Sequence, residues 1–157
     1  MRKTICTIAL TFIITWGFAQ QPSNIIESDG LFFTDNTQTV LYSGEYKEFF
    51  ENGELKLEMN IHQGKPEGSY IIYFSNGKPN EVRSYKNGEF HGVWRTYNES
   101  GVLVAEATYK SNKKDGVWRV WDDAGIMRYE MHYTNNAKTG TWYMWDDKGK
   151  LISEKAY

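Results

Sequence analysis

The strongest constraint on this chain is a period. Glycines stand at 44, 68, 92, 116 and 140, always 24 residues apart. A period of that length marks a supersecondary unit that cannot cover its own apolar surface and stacks on copies of itself. Aligned on the lead glycine, the segments read GEYKEFFENGELKLEMNIHQGKPE, GSYIIYFSNGKPNEVRSYKNGEFH, GVWRTYNESGVLVAEATYKSNKKD, GVWRVWDDAGIMRYEMHYTNNAKT and GTWYMWDDKGKLISEKAY. Four full repeats (44–67, 68–91, 92–115, 116–139) and a truncated fifth (140–157) tile this stretch without a gap.

With positions numbered 1 to 24 from the lead glycine, position 3 is always aromatic (Tyr46, Tyr70, Trp94, Trp118, Trp142). So is position 6 (Phe49, Tyr73, Tyr97, Trp121, Trp145). Position 10 is always glycine (Gly53, Gly77, Gly101, Gly125, Gly149), and position 18 is Ile61 and then Tyr85, Tyr109, Tyr133 and Tyr157. Asn52-Gly53 and Asn76-Gly77 signal a two-residue type I′ hairpin loop, because both of its central residues need positive φ. Ser100-Gly101, Ala124-Gly125 and Lys148-Gly149 are weaker versions at the same place.

If positions 9 and 10 form that loop, position 8 faces 11 and position 4 faces 15. The resulting pairs Lys47–Glu58, Arg95–Glu106 and Arg119–Glu130 are opposite in charge. Ile71–Val82 is apolar on both sides, and Tyr143–Glu154 is the neutral exception. Repeats that co-vary in this way behave as cross-strand neighbours do. The same register sets each lead glycine opposite position 18, so the tyrosines are expected to cover bare glycine backbone.

Side chains alternate between the faces of a strand. Positions 3, 5, 7, 12, 14, 16 and 18 therefore share a mostly apolar face, and the position 4/15 charge pairs share the other with the position-6 aromatics. Positions 20 to 24 read as a longer loop between hairpins. No segment after residue 20 has helical periodicity, so no helix is expected to cover either face. The expected fold is all-β, an elongated antiparallel meander of tandem 24-residue hairpins. Ten strands about 4.8 Å apart would span roughly 50 Å. Residues 30–43, GLFFTDNTQTVLYS, read as a diverged hairpin capping the first strand edge, and residues 20–29 as a flexible lead.

The first 19 residues have a different character. Arg2 and Lys3 precede the apolar run Ile5 to Ile14, and Gly17-Phe18-Ala19 offers small residues for cleavage. That is the layout of a secretory signal peptide, too short for a membrane span. Export to the periplasm or beyond is expected, with no transmembrane segment in the mature chain. Cys6, the one cysteine, lies inside this leader, which leaves the remainder without thiol chemistry. Taking Arg2 and Lys3 from 18 Lys and Arg, against 20 Asp and Glu, leaves a charge of −4. A mildly acidic surface argues against nucleic acid as a partner.

Tyr85-Lys-Asn-Gly-Glu-Phe-His-Gly92-Val-Trp94 and Tyr109 through Asp115-Gly116-Val-Trp118 resemble the MORN repeat, a tyrosine and a glycine-bearing turn followed by glycine and an aromatic. The added half, aromatic-x-x-(Asn/Asp)-Gly-x-Leu-x-x-Glu, is similar to the variant MORN form of bacterial YwqK-type antitoxins, and the likeness covers residues 30–157. It implies a protein that binds and neutralises a toxin.

The chain offers little to suggest catalysis. His62, His91 and His132 share neither spacing nor face, which argues against a metal site. Asp122-Asp123 and Asp146-Asp147 are too few ligands for calcium and fit turn chemistry. Glu58, Glu106, Glu130 and Glu154 obey the repeat and have assigned partners, unlike a hydrolase's carboxylate pair. No enzyme activity and no cofactor are expected.

Binding is the remaining class. The position-6 row either stacks on itself across strands or grips a partner, because Trp, Tyr and Arg dominate interface hot spots. The candidate partner-binding residues are Tyr73, Tyr97, Trp121, Trp145, Arg95, Arg119 and Arg128. The candidate structural residues are the position-10 glycines with Gly92, Gly116, Gly140, Trp94, Trp118 and Trp142. The expected partner is a polypeptide, with a toxin foremost. A glycan or cell-wall polymer on the aromatic rows is the alternative, and edge-to-edge self-association is open to such a sheet.

Overall fold

The computed structural model describes residues 25–157. The leader expected over 1–19 lies outside the described residues. Thirteen strands and no helix are found among them. A short hairpin of β1 (Ile26–Ser28) and β2 (Leu31–Phe33) precedes β3 (Gly44–Phe49), β4 (Leu55–His62), β5 (Lys65–Tyr73) and β6 (Pro79–Lys86). There follow β7 (Glu89–Phe90), β8 (Gly92–Tyr97), β9 (Leu103–Lys110), β10 (Lys113–Trp121), β11 (Met127–Thr134), β12 (Ala137–Trp145) and β13 (Leu151–Ala156). Strands β3 to β13 form one 11-stranded antiparallel sheet in chain order. Within it, β7 and β8 are two halves of one passage, both paired to β6. The meander expected from the period is the fold observed.

The register of the hairpins is also as expected. Gly44 faces Ile61, Gly68 faces Tyr85, Gly92 faces Tyr109 and Gly116 faces Tyr133. Lys47 lies across from Glu58, Ile71 from Val82, Arg95 from Glu106, Arg119 from Glu130 and Tyr143 from Glu154.

The turns differ from expectation at both ends of the strands. At the hairpin tip, Asn52 and Asn76 do not have positive φ; Gly53 (φ 86) and Gly77 (φ 79) alone do. Gly53 N–H donates to Phe50 O at 2.9 Å, and Phe50 N–H to Glu54 O at 2.8 Å. This is a three-residue loop, a type I turn closed by a glycine in the left-handed region. Phe49 consequently pairs with Leu55, leaving Lys56 in a bulge. The asparagine serves another purpose: Asn52 Oδ1 accepts the Glu54 N–H at 3.0 Å. In later repeats position 7 takes over this role. Asp122 Oδ1 accepts the Ala124 and Ile126 N–H groups at 3.0 Å, and Asp146 Oδ1 those of Lys148 and Lys150 at 2.9 Å.

The type I′ turns lie at the opposite end, at positions 20 and 21, where sequence suggested a longer loop. Gln63-Gly64, Asn87-Gly88, Ser111-Asn112 and Asn135-Asn136 all have positive φ at both residues. Positions 22 to 24 are therefore strand, as in β10, where Lys113 pairs with Lys110. Successive turns are tied together. Asn112 donates its N–H to Phe90 O at 3.0 Å while its Oδ1 accepts the Phe90 N–H at 2.8 Å, and Asn136 repeats both bonds with Lys114. Ser111 carries a left-handed φ of 47 with a side chain poorly suited to it. Ser111→Asn, matching Asn87 and Asn135, should raise stability by about 0.5 kcal/mol in urea unfolding.

Between turn and strand body, each passage bulges at the lead glycine. Lys114 pairs with Tyr109 and Trp118 with Ala107, so Asp115, Gly116 and Val117 together oppose Thr108. A Cβ on Gly116 would sit 3.1 Å from Thr108 Cβ. The position-18 tyrosine, although registered with the glycine, lays its ring against tryptophan: Tyr133 and Trp118 centroids are 5.4 Å apart. At the bulge the tryptophan adds a side-chain donor to the position-17 carbonyl, as in the second repeat, where Ser84 O accepts both the His91 N–H at 2.9 Å and Trp94 Nε1 at 3.4 Å. Trp118 Nε1 donates to Thr108 O and Trp142 Nε1 to His132 O, both at 3.1 Å.

The buried core lies at one end. Phe32 and Tyr42 fold over Leu57, Met59 and Ile61, the inward positions of β4. Phe32 N–H donates to Gly64 O at 2.9 Å, and Phe32 stacks on Tyr46 at 5.2 Å. Two sequence expectations change here. Ile26–Ser28, read as flexible lead, pairs with Leu31–Phe33 through a turn at Asp29-Gly30. The N-terminal hairpin covers the face of the first repeat and adds no strand beyond β3.

Candidate partner-binding face

The face bearing positions 4, 6 and 15 is organised by an ion-pair ladder running across β8 to β11. Arg95 Nε donates to Glu106 Oε2 at 2.9 Å, and Arg119 lies 3.6 Å from the other oxygen of Glu106. Arg119 Nε then donates to Glu130 Oε2 at 2.8 Å, and His132 Nε2 stands 3.3 Å from Glu130 Oε1. Each contact is partly exposed and weak alone; their value is that they hold the guanidinium planes in fixed orientations. The first repeat departs from the pattern. Lys47 bonds Glu45 at 3.0 Å, and Glu58 instead accepts the Tyr73 hydroxyl at 2.6 Å. Partial burial, with that hydrogen bond and the carboxylate's charge, pushes the Tyr73 hydroxyl up to about 12.

Arg128 is turned to the tips. Its Nε donates to Trp145 O at 3.0 Å, and its Nη1 lies 3.6 Å from Asp122. The position-6 rings of Tyr97, Trp121 and Trp145 are half-buried. Among the described residues no two position-6 rings stack on each other; Trp145 touches Tyr143 at 5.9 Å. Self-stacking thus does not account for this row. Their spacing is the reason: equivalent positions lie two strands, about 10 Å, apart. The structure therefore brings Arg95, Arg119, Tyr97, Trp121 and Trp145 onto one face, while Tyr73 is spent on Glu58 and Arg128 on the tip carbonyl.

The continuous stack is on the opposite face. Tyr70, Tyr85, Trp94, Tyr109, Trp118, Tyr133, Trp142 and Tyr157 follow one another with centroids 4.7 to 6.2 Å apart. Trp94, Trp118 and Trp142 thus lie inside this stack, away from the position-6 face. Position 23 completes this stack, a contribution hidden when positions 20 to 24 are taken as loop. Phe90 packs on Trp94 at 4.3 Å, Lys114 Nζ lies 4.3 Å from the Trp118 centroid, and Lys138 Nζ lies 4.3 Å from that of Trp142. The cue in the sequence was Phe90 amid polar turn residues.

The sequence model described as MORN repeat variant matches residues 42–63, 66–87, 90–111, 114–135 and 138–157. The chain belongs to the MORN repeat variant family. The MORN units so framed run from position 23 to position 20, which is the hairpin seen in space: a unit opens just after one type I′ turn and closes in the next. Both turn asparagines and position-23 side chains then fall at unit boundaries, where MORN repeats join. No curated protein matches the chain. At the tip of the fourth repeat both adjacent aspartates are used internally. Asp122 caps its own turn, and Asp123 accepts the Asn98 amide at 3.2 Å.

Proposed function

We propose that this MORN-repeat chain is a non-catalytic scaffold that holds a polypeptide partner on the face carrying Tyr97, Trp121, Trp145, Arg95 and Arg119. The observation that carries this reading is the position-6 row. Five aromatics recur there, yet they do not stack on one another, and the ladder beside them holds two arginines in place. Trp, Tyr and Arg set in a partly buried surface are the side chains from which protein interfaces draw most of their affinity. The antitoxin resemblance makes a toxin the leading partner, met outside the cytoplasm after export by the 1–19 leader.

The test is capture of envelope proteins by the purified chain, with Trp121→Ala and Trp145→Ala set against Lys138→Ala on the opposite face. The position-6 substitutions should weaken capture at least tenfold, roughly the effect of losing one hot spot, and Lys138→Ala should leave it unchanged. Equal capture by all variants would end this reading. Retention on peptidoglycan or a glycan array, lost with the same two tryptophans, would replace the polypeptide with a saccharide.

A further inference from the structure

The aromatic row on the opposite face carries cations nearly throughout. Arg83 lies 5.2 Å from the Tyr70 centroid and 5.0 Å from that of Trp94. Lys114 lies between Trp118 and Tyr133 at 4.3 and 5.0 Å, and Lys138 between Trp142 and Tyr157 at 4.3 and 4.8 Å. Position 23 supplies both lysines. In the first hairpin that position is Pro66, and beside it opens a cleft of about 290 Å³ between the β1–β2 hairpin and the sheet.

The cleft has the walls of a cation site. The rings of Phe32, Tyr46 and Tyr70 and the thioether of Met59 line it, together with the carboxylates of Glu27 and Glu48. Glu27 Oε1 accepts only the Gly30 N–H of its own turn, at 3.0 Å, and has no ion pair among the described residues. Glu48 Oε2 is met at 3.0 Å by Lys56, whose side chain is 49% exposed, while Oε1 accepts the Tyr46 hydroxyl at 3.1 Å. The neighbouring Arg83 is neutralised by Glu81 at 2.6 Å. Burial, and then the hydrogen bond and charge of Glu48 with a smaller contribution from Glu27, push the Tyr46 hydroxyl up to about 12.

We propose that this cleft binds an organic ammonium group, with its alkyl substituents against Phe32, Tyr46 and Tyr70 and its charge opposite Glu27 and Glu48. Aromatic faces attract such cations through the ring quadrupole, and most strongly where water is partly excluded. A site of this volume, at the small end for ligand pockets, suits a methylated amine or the end of a side chain. It is separate from the face assigned to the polypeptide partner, and either reading can fail without the other.

Methyl-labelled methionine gives a local probe, since Met59 lines the cleft while Met131 and Met144 lie on distant strands. Tetramethylammonium added at constant ionic strength should move the Met59 methyl resonance saturably and leave Met131 and Met144 in place. The uncharged isostere tert-butanol should do nothing. Glu27→Gln with Glu48→Gln should weaken binding about tenfold, and Lys56→Met, which frees Glu48, should tighten it about twofold. Unchanged Met131 and Met144 signals certify that the variants are folded. Stronger binding of a trimethyl-lysine peptide than of the free ion would assign the cation to a polypeptide; equal binding would assign it to a small amine. A response to tert-butanol matching that to the ion, no saturable shift with ion or peptide, or indifference to the charge substitutions would overturn the proposal.

Discussion

Trp118→Ala should lower stability by about 3 kcal/mol, the lower end for removing a large aromatic because the ring is only half-buried. Three contacts disappear together. The stack from Tyr109 to Tyr133 breaks, its centroids having stood 5.2 and 5.4 Å from Trp118. Lys114 loses one of its two aromatic faces. Thr108 O loses the indole N–H that donates to it at 3.1 Å beside the bulge. Trp118→Phe separates the causes: it keeps a ring in the stack and removes only the donor, and should cost about 1 kcal/mol. Urea unfolding measures both. Because each unit rests only on its neighbours, amide exchange should accelerate first in β9 to β11 and last in β4. A Trp118→Ala chain as stable as the parent would show that the stack decorates the sheet without supporting it.

Gly116→Ala and Gly140→Ala should differ sharply although they alter equivalent positions. Gly116 has φ 110, outside the left-handed well that other residues can enter, and its new Cβ would press within 3.1 Å of Thr108 Cβ. Gly140 has φ 62, within that well, and its nearest neighbour would be His132 Cβ at an ordinary 3.5 Å. Gly140→Ala should therefore cost about 1 kcal/mol, and Gly116→Ala about 2–3 kcal/mol once backbone strain and the clash combine. Thermal or denaturant midpoints of the two single variants check this directly. Equal losses would mean that the bulge relaxes freely at both places.

These expectations divide according to what could be read in the chain. The hairpin register was legible because cross-strand neighbours constrain one another in every copy; Arg95–Glu106, Arg119–Glu130 and Ile71–Val82 are three solutions to one contact. The candidate face was legible in the same way, since alternation alone places Arg119 and Trp121 together. The turn types were not. Asn-Gly is compatible with positive φ at both residues and also with an asparagine whose carbonyl caps a type I turn, and local composition does not choose between them. A one-residue difference at the tip moved Phe49 from Lys56 to Leu55 without disturbing the rest of the register.

The amino-acid sequence by itself determined the repeat, the antiparallel order and the register away from the tips, because these follow from periodicity and from neighbours along one hairpin. Only the tertiary structure decided that the strands bulge at the lead glycines, that Trp118 and Trp142 donate to the carbonyls beside those bulges, and that the N-terminal hairpin folds over the first repeat to leave a ringed, acidic cleft. The reason is separation along the chain. Glu27 and Glu48, or Phe32 and Tyr46, meet through contacts between different elements, and no repeat carries a second copy of such a contact against which to compare it.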